Sequence, residues 1–220
     1  MRSKKFDLGA IFDGDGDRVV FMDEKGEVID PSITLALWLD CFLKPGQAAI
    51  KTANMGRIAA EVGRSRKVKV LLSKVGRTNV QQAMAKNKAD LGAEKSGHYF
   101  FKDFYYGDSA ALALFKMLKA ISKKPQPLSK LIKPYQKYII LPEINFSSER
   151  DPGNVIAALK EKFKEGRIDL LDGIGVEFPE WGFNLRRSNT ENLWRLSLEG
   201  VDQNKLAEVK KEIESVLLAS

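Results

Sequence analysis

From residue 31 to about residue 122 the chain alternates short apolar runs with helix-period segments, and this rhythm restricts the fold more than any other feature. Helical spacing over 31–43, 56–62, 78–87 and 108–122 is interleaved with strand-like runs at 48–51, 68–72, 89–93 and 99–101. Strands separated by helix-sized connections pair in parallel, because a parallel crossover needs that much chain. Pro31-Ser32 opens the first helix, read as amphipathic, and Lys44-Pro45-Gly46 closes it. The segment is therefore expected to be an α/β domain, three-layered, with a largely parallel sheet.

Lys123-Lys124-Pro125-Gln126-Pro127 breaks the rhythm. A short helix and Pro134 follow, and then strands are expected at 138–141, 168–171, 174–178 and 194–198, with helices at 154–164 and 203–219. Strands clustered between two helices predict a small α+β domain with an antiparallel sheet. Ahead of the α/β segment, strands at 6–12 and 19–23 flank an aspartate-rich loop, and a hairpin leads into 28–29. The domains are read as 1–29, 30–135 and 136–220.

Composition narrows the partners. With 44% hydrophobic residues in 220, the chain buries a real core, and 36 basic against 29 acidic residues give +7, which suits an anionic ligand. No nucleic-acid motif accompanies that charge. The longest apolar stretch, 33–43, carries Asp40 and is too short to span a bilayer. Cys41 is the only cysteine, which excludes an intramolecular disulfide. No apolar signal segment opens the chain, so the expected compartment is the cytoplasm.

Asp13-Gly14-Asp15-Gly16-Asp17-Arg18 is the most specific motif. Three carboxylates on one short loop repel each other unless a cation neutralises them, and the glycines let the backbone turn tightly. An oxygen-only ligand set selects a hard ion, so Asp13, Asp15 and Asp17 read as a Mg²⁺ site. An EF-hand is rejected, because Arg18 stands where that loop needs glycine and the flanks are strands. In Glu94-Lys95-Ser96-Gly97-His98, a carboxylate and a hydroxyl two residues apart suit vicinal sugar hydroxyls, and His98 is the only histidine. Arg186-Arg187-Ser188-Asn189-Thr190-Glu191 offers a guanidinium, hydroxyls and turn amides, a cradle for a phosphate dianion or else a polar hairpin. Lys51 ends a strand and Arg77 precedes a helix, where open α/β sheets place ligands.

Taken in order, these motifs resemble the α-D-phosphohexomutase family, the phosphomannomutases and phosphoglucomutases, over nearly the whole chain. The resemblance implies phosphoryl transfer between O1 and O6 of a hexose phosphate through a bisphosphorylated sugar that reorients in the cleft. It implies that Asp13, Asp15 and Asp17 hold Mg²⁺ and that Arg18 faces the reacting phosphate. Glu94 and Ser96 would hold sugar hydroxyls, and Arg186, Ser188, Asn189 and Thr190 would clamp the phosphate that is not transferred. Lys51 and His98 are the general acid/base candidates. Arg77 joins the substrate-binding set, although relatives often carry histidine there; Ala93 stands where glycine is usual. The last domain is expected to open and close around substrate.

The family's phosphoserine loop, Thr/Ser-Ala-Ser-His-Asn-Pro, has no counterpart here, since His98 precedes Tyr99. Residues 1–29 then resemble the end of the family's second domain, 30–135 the third and 136–220 the fourth. The chain alone is expected to lack mutase activity and to bind Mg²⁺ weakly. Strand 6–12 should present an unpaired edge, open to a separately encoded N-terminal half or to self-association. The alternative reading is a non-catalytic phosphosugar-binding module.

Overall fold

The computed structural model describes residues 6–188 and 190–219. The chain forms two compact units that divide between residues 137 and 138. In the first, β1 (Gly9–Phe12), β2 (Val19–Met22) and β3 (Val28–Ile29) make a small antiparallel sheet. Phe12 pairs with Val19, so residues 13–18 are the loop that closes the β1–β2 hairpin. Strand β1 is shorter than the expected 6–12 and lies at the sheet edge, with Ile11 57% exposed.

α1 (Pro31–Phe42) starts with Asp30, whose carboxylate accepts from Ser32 N at 2.8 Å, and with Pro31 in the first turn. It is not amphipathic as expected: every residue from Ser32 to Leu39 is buried. The reason is its central position, where α2 (Ile58–Arg66), α4 (Ala110–Lys123) and α5 (Leu128–Ile132) all pack against it. A helix covered all round gains nothing from a polar face. Trp38 on α1 meets Phe21 of β2 edge-on at 6.4 Å, which fastens the small sheet to this core.

The main sheet has β4 (Ala48–Thr52), β5 (Lys69–Ser73), β6 (Leu91–Ala93) and β7 (Tyr99–Phe101) in the order β5-β4-β6-β7. β4 is parallel to β5 and β6, which α2 and α3 (Arg77–Asn87) connect as crossovers. β7 is antiparallel to β6, because only five residues, 94–98, separate them. Helix α4 begins at Ser109, whose hydroxyl accepts from Leu112 N at 3.2 Å. Glu24 caps α5 from a distance, its carboxylate accepting from Ser129 N at 3.0 Å and from the Ser129 hydroxyl. Loss of water around Glu24 raises its pKa, but these two donors outweigh that and hold it below its ordinary 4.5. A depressed carboxyl pKa stabilises fully above the unfolded value and loses that contribution as pH falls through the folded value. Glu24→Ala is therefore expected to cost about 1 kcal/mol at neutral pH, the worth of a cap, and less in acid, once the wild-type Glu24 carboxyl is protonated below its folded value. Urea titrations at pH 7 and in acid check this.

The second unit contains β8 (Ile139–Ile140), β9 (Ile144–Phe146), α6 (Pro152–Lys162), β10 (Arg167–Asp169), β11 (Ile174–Glu177), β12 (Trp181–Arg187), β13 (Trp194–Gly200) and α7 (Gln203–Leu218). The sheet is antiparallel throughout, in the order β10-β11-β12-β13, with β8 and β9 both pairing with β13. One face buries Phe183, Leu185, Leu196 and Leu198 in a core with Val155, Leu159, Val209 and Ile213 from the two helices. The central strand β12 falls where no strand was expected. Trp181, Phe183 and Leu185 alternate with Gly182, Asn184 and Arg186, a period-2 pattern masked by its polar half.

Candidate functional site

In the first unit, β5, β4 and β6 run parallel and end at one sheet edge. The chain goes from β4 to β5 on one side and then crosses to β6 on the other, so the strand order reverses at β4. Open α/β sheets bind ligands at such a reversal, outside the carboxyl ends. Lys51 sits at this edge, in register with Ala93, immediately before Glu94. It is buried, and its ammonium donates to Met55 O at 2.6 Å.

The aspartate loop joins the same edge. Val19 N donates to Gly97 O at 3.1 Å, and a Cβ on Gly97 (φ +94) would lie 2.9 Å from Val19 O, so only glycine permits this approach. Asp13, Asp15 and Asp17 each bring an oxygen within 4.8 Å of the others. Arg18 folds back over the loop, its N donating to Asp13 Oδ1 at 3.1 Å and its Nε to Oδ2 at 2.5 Å. Desolvation raises the Asp13 carboxyl, but the Arg18 amide and guanidinium prevail and bring its pKa from 3.8 to about 2. Arg18 thus lies against Asp13, at the end of the loop that holds the three aspartates.

Arg77 opens α3 and bridges two loops, with Nη1 3.1 Å from Asp17 Oδ2 and Nη2 2.7 Å from Asp108 Oδ1. His98 lies between the same carboxylates. Its Nδ1 is 2.9 Å from Ser96 Oγ and 3.2 Å from Glu94 Oε2, while Nε2 is 3.3 Å from Asp17 Oδ1 and 3.8 Å from Asp108 Oδ2. Burial lowers the imidazole pKa, but Glu94, Asp17 and Asp108 together raise it above its ordinary value. Glu94 is itself buried, and its Oε1 accepts from Gly76 N at 2.7 Å. Asp13, Asp15, Asp17, Arg18, Arg77, Glu94, Ser96 and His98 are thus brought together by direct contacts.

Asp108 completes the cluster and was not anticipated. Gly107 O accepts from Phe101 N at 3.0 Å, and Ser109 N donates to Tyr99 O at 3.1 Å, so Asp108 is pinned beside β7. The signal was two capping-type residues in a row, Asp108-Ser109, ahead of an apolar helix. Ser109 alone caps α4, which leaves Asp108 spare.

In the second unit, Arg186 is buried on the polar face of β12, with Nη1 donating to Arg187 O at 3.1 Å and Nε without a hydrogen-bond partner. It is the cross-strand partner of Arg195, which pairs with Glu143 at 3.4 Å and with Glu191. Arg186 has no acidic partner among the described residues. A buried guanidinium without a counter-charge is costly, and an anion there would relieve that cost. Ser188 N donates to Leu193 O at 2.9 Å, and its Oγ accepts from Thr190 N at 3.4 Å and Glu191 N at 3.3 Å, which gathers turn amides beside Arg186. Asn189 lies outside the described residues.

Comparison with known proteins identifies both units. Residues 30–138 match the phosphoglucomutase/phosphomannomutase alpha/beta/alpha domain III, and residues 120–216 match the C-terminal domain of the same family. A phosphomannomutase of Methanocaldococcus jannaschii is 34% identical over 219 residues, covering 99% of this chain and 49% of the relative. A phosphomannomutase of Vibrio cholerae is 35% identical over 209 residues, 90% of this chain and 44% of the relative. A phosphoglucomutase/phosphomannomutase family protein of Burkholderia thailandensis superposes with a TM-score of 0.83 at 28% identity, over 96% of this chain and 46% of that one. An N-acetylphosphoglucosamine mutase of Aspergillus fumigatus, solved with GlcNAc-6P and magnesium, shares the fold at a TM-score of 0.68 and 15% identity, over 98% of this chain and 49% of that one. The chain spans about half the length of these relatives. Among the described residues, no helix is long and apolar enough to cross a membrane. The chain belongs to the phosphoglucomutase/phosphomannomutase family, of which it carries domains III and IV.

Proposed function

We propose that this chain supplies the sugar-binding and phosphate-binding loops of a phosphohexomutase acting on mannose or glucose phosphates. The observation that carries the reading is the meeting of the aspartate loop, Arg77 and the 94–98 loop at the reversal point of the sheet. Asp13, Asp15 and Asp17 present an oxygen-only cluster that fits Mg²⁺. When bound, the ion neutralises charge on a phosphoryl group. Arg18, released from Asp13, adds a guanidinium to the same end. Glu94 and Ser96 orient the sugar through its hydroxyls. Lys51 and His98 sit at the same edge as candidates to take or return the proton of the attacking hydroxyl. Arg186, Ser188, Asn189 and Thr190 hold the phosphate that stays in place.

No segment of the 220 residues resembles the phosphoserine loop, so this chain assayed alone binds phosphosugar without turning it over. The test is calorimetric titration of mannose 6-phosphate in Mg²⁺ with the chain and with Arg186→Met, followed by an assay for mannose 1-phosphate. The expected result is binding that Arg186→Met weakens by about tenfold, the worth of one charge-assisted contact, and no turnover. Equal affinity in the two chains overturns the phosphate clamp. Turnover by the chain alone overturns the division of labour.

A further inference from the structure

The turn between β12 and β13 carries its binding candidates on residues that the core does not hold. Thr190, Glu191 and Asn192 are exposed, and the base of the turn is closed by Ser188 N donating to Leu193 O at 2.9 Å. An exposed turn without side-chain ties samples many shapes, and a ligand that needs one of them binds more weakly for it.

Arg187 supplies such a tie. Successive strand residues point to opposite faces, so Arg187 continues the core-side row of Trp181, Phe183 and Leu185 and faces away from Arg186. It is the cross-strand partner of Trp194, and its guanidinium lies over that ring, 5.5 Å from the centroid. From there Nη2 donates to Asn192 Oδ1, near the far end of the turn, and Nη1 donates to Ser148 O at 3.4 Å. One planar guanidinium thus joins a residue on the turn to a residue outside it.

Ser148 is a firm anchor. Its hydroxyl donates to Leu217 O at 2.6 Å, and Arg150 Nη1 donates to Val216 O at 2.5 Å, so this segment satisfies the carbonyl end of α7. Helix α7 in turn buries Val209, Ile213 and Leu217 in the core of the second unit. A continuous line of contacts runs from that core through Ser148 and Arg187 to Asn192. Arg187 also reaches the buried arginine, because its carbonyl accepts from Arg186 Nη1 at 3.1 Å.

We propose that Arg187 is a positioning residue for phosphate: it does not touch the anion, and through Asn192 it holds the 188–192 turn in the shape that receives it. The inference rests on the reading of Arg186 and the turn amides as a phosphate clamp. A guanidinium that only attracted anions by its charge would need no partner on the turn, whereas a clasp fails when either end is removed.

The test compares Arg187→Gln, Asn192→Ala and the double variant in the ¹⁵N-labelled chain. Without ligand, the ¹⁵N{¹H} NOE of the Thr190 and Glu191 amides reports the order of the turn. With inorganic phosphate titrated in, the Ser188 and Thr190 shifts report affinity. Each single variant is expected to lower both NOEs and to weaken phosphate about fivefold, through the ordering that binding must then supply. The double variant should be no more than about twofold weaker than either single one, since both substitutions break the same contact. Asn192 is exposed, so Asn192→Ala keeps the fold and decides the matter even where Arg187→Gln does not fold. Phosphate affinity that Arg187→Gln lowers and Asn192→Ala leaves alone overturns the proposal, because Arg187 then acts by charge. So do losses that multiply in the double variant, or turn NOEs equal to those of the wild type in both single variants. Failure of the clamp reading shows separately, as a wild-type chain that takes up no phosphate at Ser188 and Thr190.

Discussion

Gly173→Ala is expected to destabilise the second unit by about 3 kcal/mol or more, from backbone strain and overpacking together. Gly173 has φ +69, a left-handed conformation that alanine adopts only at a cost. A Cβ there would lie 2.2 Å from Leu185 O and 2.7 Å from Arg186 Cα, both backbone atoms of the central strand β12 that cannot rotate aside. The neighbouring Asp172 carbonyl accepts from Asn184 Nδ2 at 2.8 Å, so moving the turn also breaks a partly buried hydrogen bond. The clash falls on Arg186, and phosphate affinity should fall together with stability. Urea unfolding followed at Trp181 and Trp194 gives the stability change. A variant within about 1 kcal/mol of wild type, the size of an ordinary surface substitution or less, contradicts this account of the turn.

Trp38→Ala should be equally severe in the first unit, at about 3–5 kcal/mol for a large aromatic removed from a core. Trp38 is fully buried and meets Tyr99 at 4.8 Å, Phe101 at 6.2 Å and Phe21 at 6.4 Å. It therefore joins α1 to β7 and to β2, the strand that carries the aspartate loop. Its Nε1 is buried without a hydrogen-bond partner. Trp38→Phe removes that orphan donor while keeping most of the ring, so it should cost less than half as much as alanine. Equal losses for the two variants would mean that ring contacts do not hold β2 in place. Denaturation of both variants, followed by circular dichroism, decides it.

The α/β rhythm was legible because the crossover helices α2 and α3 are long enough to separate the apolar runs of β4, β5 and β6. The reading weakened where a segment serves two purposes. β12 alternates apolar and polar residues, but its polar half, Gly182, Asn184 and Arg186, broke the apolar run that marks the other strands. α1 was expected to be amphipathic, yet even Thr34 is fully buried, which only the layers around the helix reveal. The site divides in the same way. Asp13, Asp15, Asp17, Glu94, Ser96 and His98 stand in compact motifs, so their proximity could be read from the sequence. Asp108 stands ten residues beyond His98 in sequence, and it reaches Arg77 and His98 only because β7 folds back on β6. Arg18 follows the aspartates directly in sequence, and its contact with Asp13 is set by the tight turn of the loop.

The claim that these loops bind a phosphosugar is tested most directly by residue-resolved NMR of the ¹⁵N-labelled chain titrated with mannose 6-phosphate in Mg²⁺. The account predicts saturable shifts of the backbone amides at 92–98 and at Ser188 and Thr190, with amides along α6 left in place. Inorganic phosphate, which lacks the sugar, should move the Ser188 and Thr190 amides alone. Shifts scattered over surface lysines, or an unchanged 92–98 loop at saturating sugar phosphate, would contradict it.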